Sequence, residues 1–276
     1  MKRIMQNVFE YIHSSGDIKA AVVVGSQVRR NLPADQYSDL DIIIVITHPE
    51  HLLDSNDWLK HIAEYHISFI EDTFWGGKER RVMFDNGNDV DFIILNEEQA
   101  NEIKTPADTA IFMRGFQVIK DEIGISRFLE RIDYRENRRL LSEAEFMNLI
   151  NDFWFHSIWT AKKILRGELL TAKYCLDTYM KRLLLKMVEE YTLLYREGRD
   201  VWYNGRFIEK WADQQILEKL RLCYAKYDSE DMIYALYETM CLFQFVSEQA
   251  ALKESYQSPD DAASQANAIV RRLLNR

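Results

Sequence analysis

Two neighbouring stretches decide the fold: Val23-Val24-Gly25-Ser26 and, after twelve intervening residues, Asp39-Leu40-Asp41-Ile42. The first stretch ends an apolar run that begins at Ala20, and the second opens another run that ends at Ile46. Continuous apolar runs that are rich in β-branched residues predict strands buried on both faces. We therefore expect one strand to end at a Gly-Ser turn that leads into a short helix, and the next strand to begin at the Asp-Leu-Asp segment.

The paired aspartates of the second stretch point to a metal site. Asp39 and Asp41 are two residues apart on the predicted strand, so their side chains lie on one face while Leu40 lies on the other. Two adjacent carboxylates repel each other and need a counter-charge, and Mg²⁺ commonly binds through one or two carboxylates plus substrate phosphates. Gly25 allows a phosphate to approach the backbone N–H groups of the turn, where the Ser26 hydroxyl can also meet it. The two stretches together predict a site for Mg²⁺ and nucleotide phosphates.

A third carboxylate, Asp91, lies in the apolar run Val90–Leu95, where an unpaired charge is costly. The turn signal Asp85–Asn88 before it predicts a hairpin with the preceding apolar residues. If the strand of Asp91 pairs beside the strand of Asp39 and Asp41, three carboxylates converge and can hold two metal ions about 3.5–4 Å apart. Asp91 would then be both a metal ligand and a general base. The alternative is coincidence, because Gly-Ser turns and Asp-x-Asp segments are each common.

The composition limits the class of protein. The 276 residues are 47% hydrophobic and 29% charged, with 10 Gly and 4 Pro, which excludes a disordered or fibrous chain. The net charge of −9 disfavours nucleic acid as a partner and favours cations, either metal ions or a cationic small molecule. No uncharged apolar segment is long enough to span a bilayer, and the amino-terminal residues do not form a secretory signal. The three cysteines do not suggest a disulfide framework. We therefore expect a cytoplasmic protein with no membrane partner.

Helix breakers are distributed unevenly along the chain. Seven of the ten glycines and three of the four prolines precede residue 125. This distribution predicts an α+β fold: an N-terminal domain at 1–138, with a small mixed sheet of three to five strands and flanking helices, followed by a C-terminal helical bundle at 139–276. The boundary is expected within the charged stretch 131–139. The helices of the bundle are expected near residues 142–165, 169–197, 205–225, 229–254 and 260–275.

Three further residues are candidates for binding substrates, each with an ordinary structural alternative. Arg29, on the short helix after the Gly-Ser turn, can pair with phosphate oxygens through its fork-shaped guanidinium or can be solvated. In the rear half, Asp177 lies beside an apolar helical stripe, and Tyr174 lies nearly one turn before it. A carboxylate on such a face can hold a cationic small molecule, and an ordinary surface aspartate is the alternative. The aromatic stripe of residues 153–159 is expected to pack in the core rather than to stack on a ligand.

The order Gly25-Ser26, Asp39-Leu40-Asp41 and Asp91 resembles the signature of the polymerase-β-type nucleotidyltransferase superfamily. Further stretches in both halves resemble the streptomycin (aminoglycoside 6-) adenylyltransferases, and the likeness covers most of the chain. These stretches are Asp57-Trp58-Leu59, Val82–Asp91, Asn151-Asp152-Phe153-Trp154 and Lys210–Tyr224.

The resemblance implies a reaction and a set of roles. It implies transfer of AMP from ATP, with Mg²⁺, to a hydroxyl group of an aminoglycoside. By the same resemblance Asp39 and Asp41 hold Mg²⁺, Asp91 deprotonates the acceptor hydroxyl, and the helical domain completes the drug pocket.

The chain departs from the family pattern at places that leave the acceptor open. Residues 27–30 replace the usual Arg-Thr-Asn stretch, Leu40 replaces a frequent tyrosine, and residues 64–78 lack a Met-Gln-x-Pro-Glu stretch. The segment Gln36-Tyr37-Ser38-Asp39 also resembles the lincosamide nucleotidyltransferases, which share the overall plan. The alternatives are therefore transfer to a lincosamide, to another small molecule or to a protein hydroxyl, or a catalytically retired nucleotide-binding or interaction module.

Overall fold

The computed structural model describes residues 1–29, 31–73, 75–103, 110–131, 140–196, 201, 203–257 and 260–274. The chain divides into two compact units, Met1–Asn137 and Arg138–Arg276. The charged stretch in which we expect the domain boundary lies mostly outside the described residues. The first unit is α+β and the second is helical, as the distribution of helix breakers predicts.

The first unit is built on one mixed sheet of six strands. They are β1 (Ile18–Val24), β2 (Leu40–Ile46), β3 (Tyr65–Asp72), β4 (Lys78–Phe84), β5 (Asn88–Leu95) and β6 (Gln117–Asp121). Their order across the sheet is β3-β4-β5-β2-β1-β6. β2 and β5 are parallel, whereas the other neighbouring strands are antiparallel.

The predicted number of three to five strands is wrong, because the sequence pattern does not reveal the edge strands. β3 lies at one edge and exposes most of its side chains on both faces. β6 lies at the other edge and is at most partly buried. A strand that buries few residues carries little apolar periodicity, so the pattern identifies the buried strands and misses these two.

Hydrophobic cores lie on both faces of the sheet. One core packs the sheet against the helix α1 (Lys2–Ser14). The other core contains Ile43 of β2 and Ile93 of β5. Asp41 and Asp91 each lie two residues before these core residues, so both acidic side chains extend the same face of the sheet.

Apart from α1, the α-helices in the described part of the first unit are short, whereas the second unit contains both long and short helices. In the first unit they are α2 (Glu50–Leu53), α3 (Glu97–Glu102) and α4 (Ile125–Leu129). In the second unit they are α5 (Glu143–Leu165), α6 (Leu169–Tyr174), α7 (Met180–Tyr195), α8 (Ile208–Trp211), α9 (Gln214–Leu220), α10 (Ser229–Glu254) and α11 (Asp260–Leu274).

The helical unit begins at a capping box and is centred on an aromatic core. The Ser142 side chain accepts a hydrogen bond from the Glu145 backbone N–H, and the Glu145 side chain accepts one from the Ser142 backbone N–H. Both groups are orphan donors at the start of α5, so the box stabilises its first turn. Further along α5, the Phe153 ring stacks on Phe243 of α10 with their centroids 3.6 Å apart.

Two predicted helices differ from the observed ones. The helix expected at 169–197 exists, but α6 and α7 are joined by a π-helical turn, Cys175–Tyr179, which sequence periodicity does not reveal. The single helix expected at 205–225 is wrong. Its residues form the short helices α8 and α9, because Phe207 has left-handed backbone angles and Ala212 is extended.

Candidate active site

The sheet topology brings the predicted turn and the predicted acidic residues together. Because β1 is antiparallel to β2, Val24 at the end of β1 lies opposite Asp41 near the start of β2. Because β5 is parallel to β2, Asp91 lies opposite Asp41 on the other side. Asp39 immediately precedes β2. Three separate parts of the chain therefore meet at the start of β2.

Asp39, Asp41 and Asp91 form a compact set of carboxylates, which we call the acidic set. One carboxylate oxygen from each residue lies within 4.8 Å of the others. Asp91 is buried, and the other two residues are half-buried. Carboxylates held this close and partly removed from water are costly without a cation, and oxygen donors are the ligands that Mg²⁺ prefers. The residues present therefore fit a magnesium site.

The buried member of the acidic set has an unusual electrostatic environment. Burial raises the pKa of Asp91 to about 6; the Arg81 guanidinium opposes this shift, while the carboxylates of Glu79 and Asp39 add to it. Arg81 Nη2 lies 3.6 Å from Asp91 Oδ2, and Arg81 Nε lies 2.8 Å from Glu71 Oε1. The register of β4 on β5 places Arg81 directly opposite Asp91. Arg81 is thus a cation held beside the acidic set by several carboxylates.

The Gly-Ser turn contacts the acidic set directly. Gly25 has a φ of +70°, and a Cβ atom at this position would lie 2.1 Å from Asp41 Oδ2. The Ser26 hydroxyl donates to the backbone carbonyl of Asp39 at 3.1 Å and lies 3.3 Å from its Oδ1. Gln27 Nε2 donates to the same carbonyl at 2.8 Å. The turn therefore fixes the position of both aspartates at the start of β2.

The other predicted site residues lie in different surroundings. Arg29 Nε donates to the backbone carbonyl of Leu32. Tyr174, in the second unit, is 65% exposed. Asp177, in the π-helical turn, forms an ion pair with Lys173. A cationic ligand at Asp177 would therefore compete with a lysine that already neutralises it.

Two residues of the site are absent from the sequence-based prediction. Gln27 reinforces the turn through Asp39, and Arg81 supplies the cation beside Asp91. The predicted hairpin contained the signal for Arg81, since its register places that residue opposite Asp91. No comparable signal existed for Gln27, whose role depends on the path of the chain between β1 and β2.

The fold and the site together define a class of protein. A strand ends in Gly-Ser, the following strand carries paired aspartates, and its parallel neighbour carries a third acidic residue, so a mixed sheet brings together groups that suit metal ions and phosphates. This is the arrangement expected of a nucleotidyltransferase.

Comparison with known proteins gives the family within this class. The profile of the streptomycin adenylyltransferase family matches residues 1–273, and the chain belongs to this family. An aminoglycoside 6-adenylyltransferase from Staphylococcus aureus is 22% identical over 272 residues, covering 94% of this chain and 93% of the relative. One from Bacillus subtilis is 20% identical over 267 residues, covering 93% and 92%. A crystal structure of an aminoglycoside 6-adenyltransferase from Bacillus subtilis covers 99% of this chain and 97% of its own, with 17% identity and a TM-score of 0.48.

Among the described residues, no helix combines the length and the apolar character that crossing a bilayer requires.

Proposed function

We propose that this enzyme uses Mg²⁺ to transfer AMP from ATP to a hydroxyl group of an aminoglycoside, with pyrophosphate as the second product. Streptomycin is the first acceptor to test. The observation that carries the proposal is the convergence of Asp39, Asp41 and Asp91 beside the Gly25 turn in a member of this family. The names of the two relatives support an aminoglycoside as the acceptor.

The acidic set is proposed to perform the chemistry. Asp39, Asp41 and Asp91 would hold Mg²⁺, and two ions are the proposed stoichiometry. Bound Mg²⁺ supplies neutralisation of phosphate charge during an in-line displacement at phosphorus. Asp91 would accept the proton of the acceptor hydroxyl. Asp39 and Asp41 are held in place for this by the Gly-Ser turn.

Other residues are proposed to bind the two substrates. Gly25, Ser26 and Arg29 would contact the nucleotide phosphates through the turn and the short helix after it. Tyr174 and Asp177 would contact the acceptor from the helical unit. The net charge of −9 supports a cationic small molecule, rather than nucleic acid, as the partner of a cytoplasmic enzyme.

The direct test is to incubate the purified chain with ATP, Mg²⁺ and a panel of acceptors, and to search by mass spectrometry for an added AMP. The panel contains streptomycin, other aminoglycosides, a lincosamide and a protein substrate. We expect an adduct on an aminoglycoside, formed only with Mg²⁺ and lost on addition of EDTA. An adduct on the lincosamide or the protein alone would contradict the proposed acceptor.

The Asp41→Asn variant tests the residues. We expect the transfer rate to fall by about a hundredfold or more, because the variant removes charge that positions the metal. Folding should be retained, since the change also relieves repulsion within the acidic set. Asp72→Asn, at an exposed carboxylate at the end of β3, is the matched control and should keep the wild-type rate. Wild-type turnover by a folded Asp41→Asn variant would overturn the assignment.

A further inference from the structure

A second cluster of polar side chains lies in the helical unit, apart from the residues considered so far. Asp152 and His156 are one turn apart on α5, and Tyr179 belongs to the π-helical turn. The Tyr179 hydroxyl donates to Asp152, lying 2.9 Å from Oδ2 and 3.1 Å from Oδ1. His156 Nδ1 lies 2.7 Å from Asp152 Oδ1. The side chains of Asp152 and His156 are 29% and 27% exposed, so both remain accessible to a ligand.

The hydrogen bonds within this cluster leave it rich in acceptors. His156 Nδ1 faces two oxygens of Asp152, the carboxylate Oδ1 and the backbone carbonyl at 2.9 Å, so this nitrogen carries the proton. In the described part of the chain, the other ring nitrogen, Nε2, has no hydrogen-bond partner. The hydrogen bond to Asp152 is the largest cause that raises the pKa of Tyr179, so its hydroxyl stays protonated and its proton is committed to Asp152. A ligand therefore meets a carboxylate, an imidazole nitrogen and a phenol oxygen, which together favour amino and hydroxyl donors.

Aromatic rings surround the same polar groups. The His156 ring centroid lies 4.4 Å from that of Tyr179, 6.3 Å from that of Trp159 and 5.2 Å from that of Phe155. Phe155 is 64% exposed, so the aromatic stripe that the sequence assigns to the core is only partly packed. Ring faces beside a few directed polar groups suit a molecule with an apolar C–H face and polar edges, as a sugar ring has.

Two cations lie near these rings and leave the carboxylate available. Lys163 Nζ lies 5.0 Å from the centroid of Trp159, and it is paired with Glu168 at 2.6 Å. The Arg182 guanidinium lies 5.5 Å from the centroid of Tyr179. Among the described residues, neither cation forms an ion pair with Asp152. The Asp152 carboxylate instead contacts His156 and Tyr179.

The π-helical turn explains how Tyr179 comes to face Asp152. A π turn adds one residue to the helix, which rotates the side chains beyond it by about 100° relative to a regular α-helix. Such turns are uncommon and frequently occur at functional sites. The turn Cys175–Tyr179 is therefore an independent sign that the placement of Tyr179 matters.

We propose that Asp152, His156 and Tyr179 form a binding site for an amino-sugar, whose ammonium and hydroxyl groups donate to Asp152 and to His156 Nε2. The ring face of the sugar would lie against the aromatic side chain of Trp159. The class of ligand rests on the proposed function, which takes an aminoglycoside as the acceptor. A purely structural role, in which the cluster only ties α5 to the π-helical turn, is the alternative that the experiment must exclude.

The test measures the affinity of the intact chain for streptomycin and other aminoglycosides by calorimetry without nucleotide, and separately its affinity for Mg–ATP. Asp152→Asn keeps an acceptor for Tyr179 and removes the negative charge. We expect it to weaken aminoglycoside binding by about tenfold or more through the loss of a charge-assisted hydrogen bond. Mg–ATP binding should stay within about twofold of wild type. Glu209→Gln, at an exposed carboxylate of α8, is the matched control and should change neither affinity.

The outcomes separate this inference from the proposed function. Unchanged aminoglycoside affinity in the folded Asp152→Asn variant, or a wild-type chain that binds no aminoglycoside, overturns the inference. If Asp152→Asn does not fold, the variants Tyr179→Phe and His156→Gln replace it. Unchanged aminoglycoside affinity in both of these variants likewise overturns the inference. A wild-type chain that binds aminoglycosides through Asp152 but transfers no AMP contradicts only the proposed function. If the wild-type chain transfers AMP, but wild type and Asp152→Asn bind the aminoglycoside with equal affinity, only the inference is contradicted.

Discussion

Gly25 connects the turn after β1 with the carboxylate of Asp41. Its φ of +70° lies in the left-handed region, and the space that a Cβ atom would need is taken by the carboxylate of Asp41. Glycine is therefore required twice, once for the turn after β1 and once for the close approach of β2. The turn and the acidic set cannot be changed independently.

Gly25→Ala tests this dependence. We expect nucleotidyl transfer to fall by about a hundredfold, because the new Cβ displaces Asp41 from its place in the acidic set. Gly167→Ala is the control: Gly167 has a φ of +73°, but a Cβ there would meet nothing within 4 Å. This control should lose about 1–2 kcal/mol of stability and keep its activity. Both variants are compared by transfer rate and by the midpoint of urea unfolding, and equal activity in the two would show that the contact with Asp41 is unimportant.

The elements differ in how well the sequence predicts them, and the difference follows from burial. β1, β2 and β5 are central strands, so their continuous apolar runs reveal both their existence and their bounds to within a few residues. The edge strand β3 keeps exposed apolar residues on both faces, so no period marks it as a strand. Asp41 and Asp91 lie on the predictable strands and Asp39 immediately precedes one of them, so the convergence of the three could be predicted without a structure.

Contacts that depend on the exact path of the backbone could not be predicted in the same way. The π-helical turn leaves the apolar helical pattern of residues 169–195 intact, so neither Tyr179 nor its contact with Asp152 is evident from the sequence. The left-handed Phe207 similarly divides a segment whose pattern is helical. Arg81 is an intermediate case. The sequence predicts the hairpin of β4 and β5, and the register of that hairpin places Arg81 opposite Asp91.

The start of α5 offers a prediction at the scale of one element. Ser142→Ala removes the side-chain acceptor of the capping box, so we expect the free energy of unfolding to fall by about 1 kcal/mol. Thr171→Ala removes an exposed hydroxyl from within α6 and is the control; it should have little effect or stabilise slightly, because alanine favours the helix. Urea unfolding of the full chain measures both. A loss in the control as large as that in Ser142→Ala would mean that the cap is not the cause.

At the scale of the whole molecule, one buried lysine is expected to contribute to the pH dependence of stability. Lys181 is 6% exposed and donates to the backbone carbonyl of Leu176 at 3.0 Å and to Thr239 Oγ1 at 2.9 Å. Burial lowers its pKa to about 8, although nearby Cys223 and Asp177 oppose that shift. Between this value and the pKa of the unfolded chain, the unfolded state binds a proton that the folded state does not. The contribution of Lys181 to stability should therefore rise as the pH increases through this window.

Lys181→Met tests the sign of this effect. The variant lacks the group that titrates, so the stability of wild type relative to the variant should increase by about 2–3 kcal/mol from pH 7 to pH 10. Lys162→Met, at an exposed lysine of α5, is the control and should follow the wild-type pH dependence. Urea unfolding at both pH values gives the differences. A constant difference between wild type and Lys181→Met would mean that folding does not shift the pKa of Lys181.

The parallel pairing of β2 with β5 has a consequence for how this unit tolerates insertions and deletions. Asp91 is held opposite Asp41 by hydrogen bonds between neighbouring strands, so the chain between Ile46 and Asn88 is not what sets their separation. The loops of that connection can lengthen, shorten or change composition while the two carboxylates keep their spacing, whereas β4, which pairs with β5 and carries Arg81, is held in register. The geometry of the acidic set is thereby decoupled from the length of the loops around β3, although not from β4.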